Sequence, residues 1–332
     1  MRVLNQPKGY RVIASLLNAA TEEPTPTTRA EWLAQRRTGI GGSDAGAICG
    51  VDQWKSSLEV WYSKVEPLDD DDPGEKARWG NLLEPVVAEE WAHREGVAIV
   101  SPDVLFRSVA APFAIANVDR LVVDADGTPI AIYEGKTTDA RNGEQWDVEP
   151  PERVQAQVHH YLTVTGLPRA HVACLIGGNN LRAHVIEANP LWSEHLLEIE
   201  AAFWDLVEKR TPPAPDGSDS AHETLAAMFH SSEPESVIDL PNDVLEVVER
   251  LRANKAAVKQ LEREVQADQD AVCAALGRAE VGFVAGQKVA SWKPVSTRRL
   301  DTKALTAAHP DLVEEFMADS SYRRFMLAKA SR

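Results

Sequence analysis

Cysteine is scarce in this chain of 332 residues: Cys49, Cys174 and Cys273 lie far apart in the sequence. No CxxC pair exists, so a structural zinc site or a four-cysteine iron–sulfur cluster has no support. No apolar run reaches the roughly 18–20 residues of a membrane span. The apolar stretch at 12–20 lacks a cleavage signature, which argues against a signal peptide. These absences predict a soluble protein of the reducing cytoplasm, with no membrane partner.

Basic residues are outnumbered: 35 Lys and Arg stand against 51 Asp and Glu, a net charge of −16. This acidic total excludes a protein that coats nucleic acid through general positive charge, but it allows a nucleic-acid enzyme whose positive charge is local. The charge is uneven, because residues 278–332 hold ten basic and six acidic side chains, a net of +4, which leaves −20 on residues 1–277. The basic C-terminal region is therefore expected to hold DNA.

The length suits one large domain or two. Residues 1–30 are expected to be a polar lead-in without periodicity, and residues 31–212 the globular core. The segment 213–237 is rich in Pro, Ser, Asp and Gly and is predicted to be a linker. Residues 238–332 are expected to form a helical arm and a small basic C-terminal region.

Apolar residues recur every seven positions within the arm, which predicts a long helix. They are Val244, Leu251, Val258, Val265 and Val272. The second apolar seam that a coiled coil needs is incomplete. A helix that lies on its own domain is therefore favoured over an intermolecular coil.

Helical and strand periods alternate through the core, which predicts an α/β fold with a mixed central sheet flanked by helices. The predicted helices span 79–93, 151–165 and 190–210. The predicted strands lie near 97–108, 114–124, 129–137, 170–176 and 182–187. The apolar face of the first helix is expected to hold Trp79, Leu82, Leu83, Val86, Val87 and Trp91. Because proline is tolerated in a first turn, Pro85 predicts that the regular helix begins near Glu84.

The pair Asp126-Gly127 predicts a tight hairpin turn between the strands 114–124 and 129–137. If these two residues form the turn, the numbers of opposed residues sum to 253, and Asp119 faces Glu134. Side chains so opposed lie roughly 4.5–5.5 Å apart at Cβ, so two carboxylates repel unless a proton or a cation lies between them. The two-residue period of a strand puts Lys136 on the same face as Glu134.

A magnesium-dependent phosphodiesterase needs such a group of side chains. Hard cations bind carboxylate oxygens and lower the pKa of bound water, which makes a nucleophile. A lysine on the same face can orient that water or offset phosphate charge in the transition state. The plainer alternative is a surface Glu–Lys pair beside a hairpin, which the Glu-x-Lys pattern alone would favour.

Five segments in a fixed order carry a more specific pattern. They are Trp32 with Arg36 and 40–44, then 79–84, 117–119, 134–136 and 155–161. Together they resemble the YqaJ-like viral recombinase family, the phage lambda-type exonucleases with a PD-(D/E)xK nuclease core. The resemblance covers roughly residues 30–210.

The resemblance implies a role for each matching position in the hairpin and the helix before it. Asp119 and Glu134 would be metal ligands, assisted by the Gly135 carbonyl. Glu84 would be an outer carboxylate that serves a second ion, and Lys136 the catalytic lysine. The implied cofactor is Mg²⁺, with Mn²⁺ as a substitute and two ions per site.

The resemblance also implies a substrate-binding set. Arg36 and Ser43 match residues that grip the 5′-phosphate, and Gln157 matches a glutamine near the terminal phosphate. Asn117 stands where the family has a serine, and Val118 where it has a proline. A terminal phosphate carries extra charge, so a pocket of arginine and hydroxyl groups favours ends over internal sites.

The function so implied is a Mg²⁺-dependent double-stranded DNA 5′→3′ exonuclease of phage-type recombination, acting in a bacterial cytoplasm. It would release 5′-mononucleotides and leave a 3′ single strand. The family implies a trimeric ring and a single-strand annealing protein as partner. The alternatives are a structure-specific or single-strand nuclease with the same core, and a noncatalytic scaffold that binds DNA ends.

Overall fold

The computed structural model describes residues 19–66, 74–318 and 322–328, which divide into two units between Met228 and Phe229. The first unit contains β1 (Ala20–Pro24), α1 (Arg29–Arg36), β2 (Ile40–Gly41), α2 (Gly42–Ile48), α3 (Ser57–Val65), α4 (Gly74–Glu95), β3 (Ala98–Val100), β4 (Val104–Ser108), β5 (Ala114–Ala116), β6 (Arg120–Val123), β7 (Pro129–Thr138), a 3₁₀ helix (Ala140–Trp146), α5 (Glu152–Thr165), β8 (Arg169–Ile176), β9 (Asn180–Glu187), α6 (Pro190–Glu208) and α7 (Asp219–Met228). The second unit contains α8 (Asp243–Leu276), β10 (Val281–Val284), β11 (Gln287–Ser291), α9 (Thr302–Ala308) and α10 (Pro310–Glu315).

A five-stranded mixed sheet forms the centre of the first unit, in the order β3-β6-β7-β8-β9. Only β7 and β8 pair in parallel, and the other neighbours are antiparallel. Helix α4 packs on one face, where Trp91 meets Tyr133, and helix α5 packs on the other, where Val158 joins the cluster of Ile132. Helices therefore cover both faces, which confirms the predicted α/β fold class with its mixed central sheet.

A second, four-stranded sheet has the order β1-β4-β5-β2. Strand β1 pairs with β4 from Ala20↔Ser108 to Pro24↔Val104. The expected polar lead-in 1–30 is therefore structured from β1 onward, since its backbone completes a sheet. Residues 1–18 of that lead-in lie outside the described residues.

Helix α4 begins ten residues earlier than predicted, at Gly74, and continues through Pro85. The prediction of a regular start near Glu84 is wrong, because a proline removes one backbone hydrogen bond without ending a helix that packing holds. Burial of Val87 and Trp91 against the sheet supplies that packing. The expected apolar face is only partly buried, since Trp79, Leu82 and Val86 are more than half exposed.

The turn between β6 and β7 is longer than the predicted two-residue turn. The N–H of Asp124 donates to the Thr128 carbonyl at 2.9 Å, and the N–H of Gly127 donates to the Asp124 carbonyl at 3.0 Å. Gly127 has φ +81°, a left-handed conformation that suits glycine. These features are typical of a three-residue hairpin loop.

A β-bulge then restores the predicted register. Val123 pairs with Pro129 while Val122 pairs with Ala131, so Ile130 is the extra residue. Beyond the bulge the numbers of paired residues sum to 253, as predicted. This register extends to the first residue of β6, which directly follows Asp119 and pairs with the residue before Glu134.

The expected linker 213–237 is shorter than predicted, because α7 packs on α3. The Ser220 hydroxyl donates to Glu59 Oε2 at 2.6 Å and accepts from the Ser56 N–H at 2.9 Å. Ala221 and Thr224 are buried. The composition of 213–237 does not predict α7, because the face by which this helix packs on α3 is short and has few apolar residues.

The long helix that the heptads predict is α8, and the expectation that it lies on its own domain stays a prediction. None of its residues is buried in the part of the chain that the structure describes. Lys255 lies 5.9 Å from the ring of Phe325, and Arg252 donates to the Ala328 carbonyl at 2.8 Å. Across the described ranges, no helix is both long and apolar enough to cross a membrane.

A buried ion pair ties α5 to α6 and to β5. His160 Nδ1 lies 2.7 Å from Glu200 Oε1, and His160 Nε2 lies 2.9 Å from the carbonyl of Ile115. The Ile115 carbonyl can only accept, so Nε2 donates to it, and the Glu200 carboxylate beside Nδ1 favours the imidazolium form of the ring. Burial lowers the pKa of His160, but the Glu200 charge and the hydrogen bonds outweigh it and hold that pKa above its ordinary value.

The substitution Glu200→Gln is expected to lower the free energy of unfolding by about 1.5–3 kcal/mol, the scale of a hydrogen bond to a charged group. Because the folded-state pKa of His160 is raised, the stabilisation is fully present below its ordinary pKa and is lost as the pH rises through the folded-state value. Urea unfolding at about pH 6 measures the loss. The exposed Glu198→Gln on the same helix is the control, and an unchanged midpoint for Glu200→Gln would contradict the pair's role.

Candidate active site

Glu134, on β7, lies at the centre of the candidate site and is only 2% exposed. Its Oε1 accepts two hydrogen bonds, from Lys136 Nζ at 2.6 Å and from Gln157 Nε2 at 2.7 Å. Its Oε2 is buried and has no hydrogen-bond partner within the described chain. The two donors on Oε1 fix the carboxylate, so its second oxygen is available to a ligand.

Asp119 lies directly before β6 and is held by the neighbouring strand. Its Oδ2 accepts from the backbone N–H of Gly135 at 2.8 Å. The bulge register brings it to the end of β7 that carries Glu134 and Lys136. The predicted group of two carboxylates and a lysine therefore exists in the fold.

Glu84, on α4, reaches this group through an arginine that sequence reasoning missed. Its Oε1 lies 2.8 Å from Arg120 Nη1, and Arg120 also donates to the carbonyl of Asp119. No local pattern marks Arg120, because its partner is 36 positions away in the chain. The predicted outer carboxylate thus lies beside the hairpin, paired with a cation from the protein itself.

The pKa values of all three carboxyl groups are raised. Burial and the charge of Asp119 raise the pKa of Glu134 to about 7, and burial and Asp119 also raise the pKa of Glu84. Burial raises the pKa of Asp119, although Lys136 and the Gly135 N–H oppose the shift. For Lys136, burial lowers the pKa, but the charges of Glu134 and Asp119 outweigh it and hold the pKa above its ordinary value. Lys136 is therefore an ammonium group.

The donor set fits a hard divalent cation. Glu134 Oε2 is a buried carboxylate oxygen that has no partner in the part of the chain the structure describes, and the charge of the neighbouring Asp119 disfavours ionisation of Glu134. Such oxygens are the ligands that Mg²⁺ prefers. Among the described residues, however, no three His, Cys, Asp or Glu side chains already converge as a metal site. Glu84 is paired with Arg120 and would have to exchange that partner to join Asp119 and Glu134.

A second group lies where α1 meets the start of α2. Arg36 Nη2 donates to Ser43 Oγ at 2.8 Å, so the structure brings the two predicted phosphate-binding residues together. Arg36 also contacts Asp44, which is fully buried. Asp44 is bound in addition by Lys55 at 2.9 Å and Lys64 at 2.7 Å, and sequence reasoning assigned no role to these three residues.

Gln157 links the two groups. Its Nε2 donates to Glu134 and also to the hydroxyl of Tyr161 at 3.0 Å. The Tyr161 ring covers Gly42, where an added Cβ would lie 2.4 Å from a ring carbon, so only glycine fits. Gln157 therefore contacts Glu134 directly. It contacts the second group through Tyr161, whose ring packs on Gly42, the residue before Ser43.

The side chain of Asn117 forms no hydrogen bond with either group. It is exposed, directly follows β5, and makes no hydrogen bond through its side chain in the described ranges. The histidines beside Gln157 also lie apart from the site, because His159 stacks on Trp192 at 4.8 Å and His160 pairs with Glu200.

Comparison with known proteins identifies the family. The model described as the YqaJ-like viral recombinase domain matches residues 31–168. The uncharacterized protein YqaJ of Bacillus subtilis (strain 168) is 36% identical over 309 residues, which are 92% of this chain and 95% of that protein. The chain belongs to the YqaJ-like viral recombinase family. The matched segment of this YqaJ-like protein contains both groups of side chains described above.

Two solved structures bear a weaker likeness to this YqaJ-like chain. The alkaline exonuclease LHK-Exo of Laribacter hongkongensis is 15% identical, with a TM-score of 0.46, and the match covers 55% of this chain and 93% of that one. A phage-related exonuclease from Haemophilus somnus 129PT is 10% identical, with a TM-score of 0.37, and the match covers 52% and 96%.

The substitution Glu134→Gln is expected to stabilise the metal-free YqaJ-like protein by about 1–3 kcal/mol, because an amide avoids a buried charge beside Asp119. Mg²⁺ is expected to raise the melting temperature of the wild type by binding the folded state, and the same substitution should abolish that rise. Thermal unfolding at about pH 8, in EDTA and in Mg²⁺, measures both effects. The exposed Glu149→Gln is the control, and a wild-type response to Mg²⁺ in Glu134→Gln would exclude Glu134 as a ligand.

Proposed function

We propose that this member of the YqaJ-like family is a Mg²⁺-dependent exonuclease that digests double-stranded DNA from 5′ ends. It releases 5′-mononucleotides and leaves a 3′ single strand. The observation that carries the proposal is the buried Glu134 carboxylate. One of its oxygens is fixed by Lys136 and Gln157, and the other has no hydrogen-bond partner among the described residues. Asp119 beside it supplies a second acidic ligand.

Asp119 and Glu134 would hold the cation, with Mn²⁺ as a substitute for Mg²⁺. When bound, the cation would polarise the phosphate and lower the pKa of an attacking water. A second ion would engage Glu84 in place of Arg120. The Gly135 carbonyl is a further ligand that the family resemblance implies. Gly135 lies next to the cation ligands, since its backbone N–H donates to Asp119.

The side chains of this protein act mainly by orientation and charge. Gln157 and Lys136 hold Glu134 in one rotamer, so its free oxygen has a fixed direction. Lys136 is protonated, so it contributes positive charge toward the phosphate as negative charge develops there, rather than removing a proton. Arg36 and Ser43 bind the terminal 5′-phosphate, and the exposed Asn117 contacts the strand near it.

The partners proposed are a DNA end, a single-strand annealing protein and further copies of this chain in a trimeric ring. A ring is compatible with the net charge of −16, because only the channel has to be positive. The basic C-terminal region would hold the DNA end or the strand that leaves. These partners follow from family membership rather than from a contact in this chain.

The direct test incubates a linear duplex bearing 5′-phosphates with Mg²⁺. The wild type should release mononucleotides from the 5′ strand, EDTA should stop the release, and Lys136→Ala should lower the rate by about 100-fold or more. Quantification of acid-soluble nucleotide from a 5′-labelled strand measures the rate. The exposed Lys209→Ala serves as the matched lysine control.

Other outcomes would select the alternatives. Cleavage of a closed circular duplex or of single strands alone would indicate a structure-specific or single-strand nuclease. Binding of duplex ends without any release, in Mg²⁺ and in Mn²⁺, would indicate a noncatalytic scaffold.

A further inference from the structure

A single buried carboxylate organises three cations beside Ser43. Asp44 Oδ1 contacts Lys55 Nζ at 2.9 Å and Arg36 Nη2 at 3.2 Å. Its Oδ2 contacts Lys64 Nζ at 2.7 Å and accepts from the Gly41 N–H at 3.2 Å. Each oxygen therefore has two donors, which is the pairing that a fully buried charge requires.

The three cations differ in exposure, and this difference decides the charge that faces solvent. The Lys64 side chain is 3% exposed and also donates to the Arg36 carbonyl, so it neutralises Asp44 inside the protein. The side chains of Arg36 and Lys55 are 32% and 24% exposed. With Asp44 and Lys64 cancelling, these two leave a surplus of two positive charges beside the Ser43 hydroxyl.

Two fixed positive charges match a phosphate monoester better than a diester. A monoester carries about −1.5 to −2 near neutral pH, whereas an internal DNA phosphate carries a single negative charge. We propose that Lys55 is a second cation that binds the terminal phosphate together with Arg36, and that Asp44 is the positioning residue for both. This inference rests on the proposed exonuclease function, and it adds Lys55 and Asp44 to the residues that recognise the terminal phosphate.

The ion pairs explain why such a pocket would bind well. Long Lys and Arg side chains ordinarily lose rotamer freedom when they bind a ligand, which costs affinity. Here Asp44 already orders both of them. Burial alone would raise the pKa of Asp44, but the charges of Lys55, Lys64 and Arg36 hold it well below its ordinary value, so the anchor stays charged.

The pocket also adjoins the proposed cleavage site. Ser43 follows Gly42, whose Cα faces the ring of Tyr161. The Tyr161 hydroxyl accepts from Gln157, and Gln157 contacts Glu134. A terminal phosphate held by Arg36 and Lys55 would therefore lie near the carboxylates that act on the strand.

The experiment compares duplexes with a 5′-phosphate and with a 5′-hydroxyl. Lys55→Met should raise KM for the phosphorylated duplex about tenfold, the value of one charge-assisted hydrogen bond. Both constants are measured for release of the first residue, because every later end carries a 5′-phosphate. Lys55→Met should leave kcat for the phosphorylated duplex, and KM for the hydroxyl duplex, unchanged. Lys55→Arg should restore the preference because it keeps the charge, and the exposed Lys209→Met should behave as the wild type.

Asp44→Asn should remove the preference more completely, since it releases both cations. Asp44→Asn also leaves the buried Lys64 without its anion, so Lys55→Met carries the test, with its melting temperature as the check on structure. An unchanged preference in Lys55→Met would mean that Lys55 only neutralises Asp44. An equal rise in KM for both duplexes would mean a general backbone contact, and either result overturns the inference.

Binding in EDTA separates this inference from the proposed function. Fluorescence anisotropy should give a tighter Kd for the phosphorylated duplex with the wild type, and equal values for the two ends with Lys55→Met. If the wild type discriminates in binding yet never cleaves, the nuclease proposal fails and the phosphate pocket stands. If it cleaves both ends with equal KM and binds them equally, the pocket fails and the nuclease stands.

Discussion

The constraint on which the site depends is the burial of negative charge at the end of one strand. Glu134 is buried among neighbours that include a second carboxylate, and its ionisation is correspondingly unfavourable. The chain offsets this cost through Lys136 and Gln157, both directed at one oxygen. A folded protein of marginal stability keeps such an arrangement only where the surrounding packing imposes it. Trp91 and Tyr133 on one face of β7, and α5 on the other, supply that packing.

The second buried carboxylate, Asp44, is stabilised in its charged form. Asp44 is surrounded by three cations, so its charge is favoured rather than opposed. Within the described ranges, the first group therefore has a carboxylate oxygen without a partner. The second group has two more cations than Asp44 and Lys64 need to balance each other. A metal cation would complete the first, and a phosphate the second. Gln157 and Tyr161 hold the two at a fixed separation, which joins opposite electrostatic requirements in one site.

Much of this arrangement follows from local sequence, but long-range pairing does not. The register of Asp119 against Glu134 depends on a few residues of one hairpin, so the prediction from the turn was close. Pro85 misled because packing of Val87 and Trp91 decides whether the helix continues, and that packing comes from strands far along the chain. Lys64 lies 20 positions from Asp44 and carries no local mark of that contact. The heptads predict α8 itself but not what, if anything, covers it.

In the β6–β7 hairpin, the pairing of Asp119 with Glu134 depends on the loop length and the bulge together, not on the loop length alone. Successive side chains of a strand point to opposite faces of the sheet. A shift of the pairing by one residue, anywhere between the turn and the site, therefore moves every later side chain to the other face. A two-residue turn with regular pairing and a three-residue turn with one bulge have the same parity, and this chain uses the second. If Ile130 were paired regularly instead of bulged, the three-residue loop would set Tyr133 rather than Glu134 opposite Asp119. The loop at 124–128 can therefore change by one residue without moving the acidic pair, provided that the bulge changes with it.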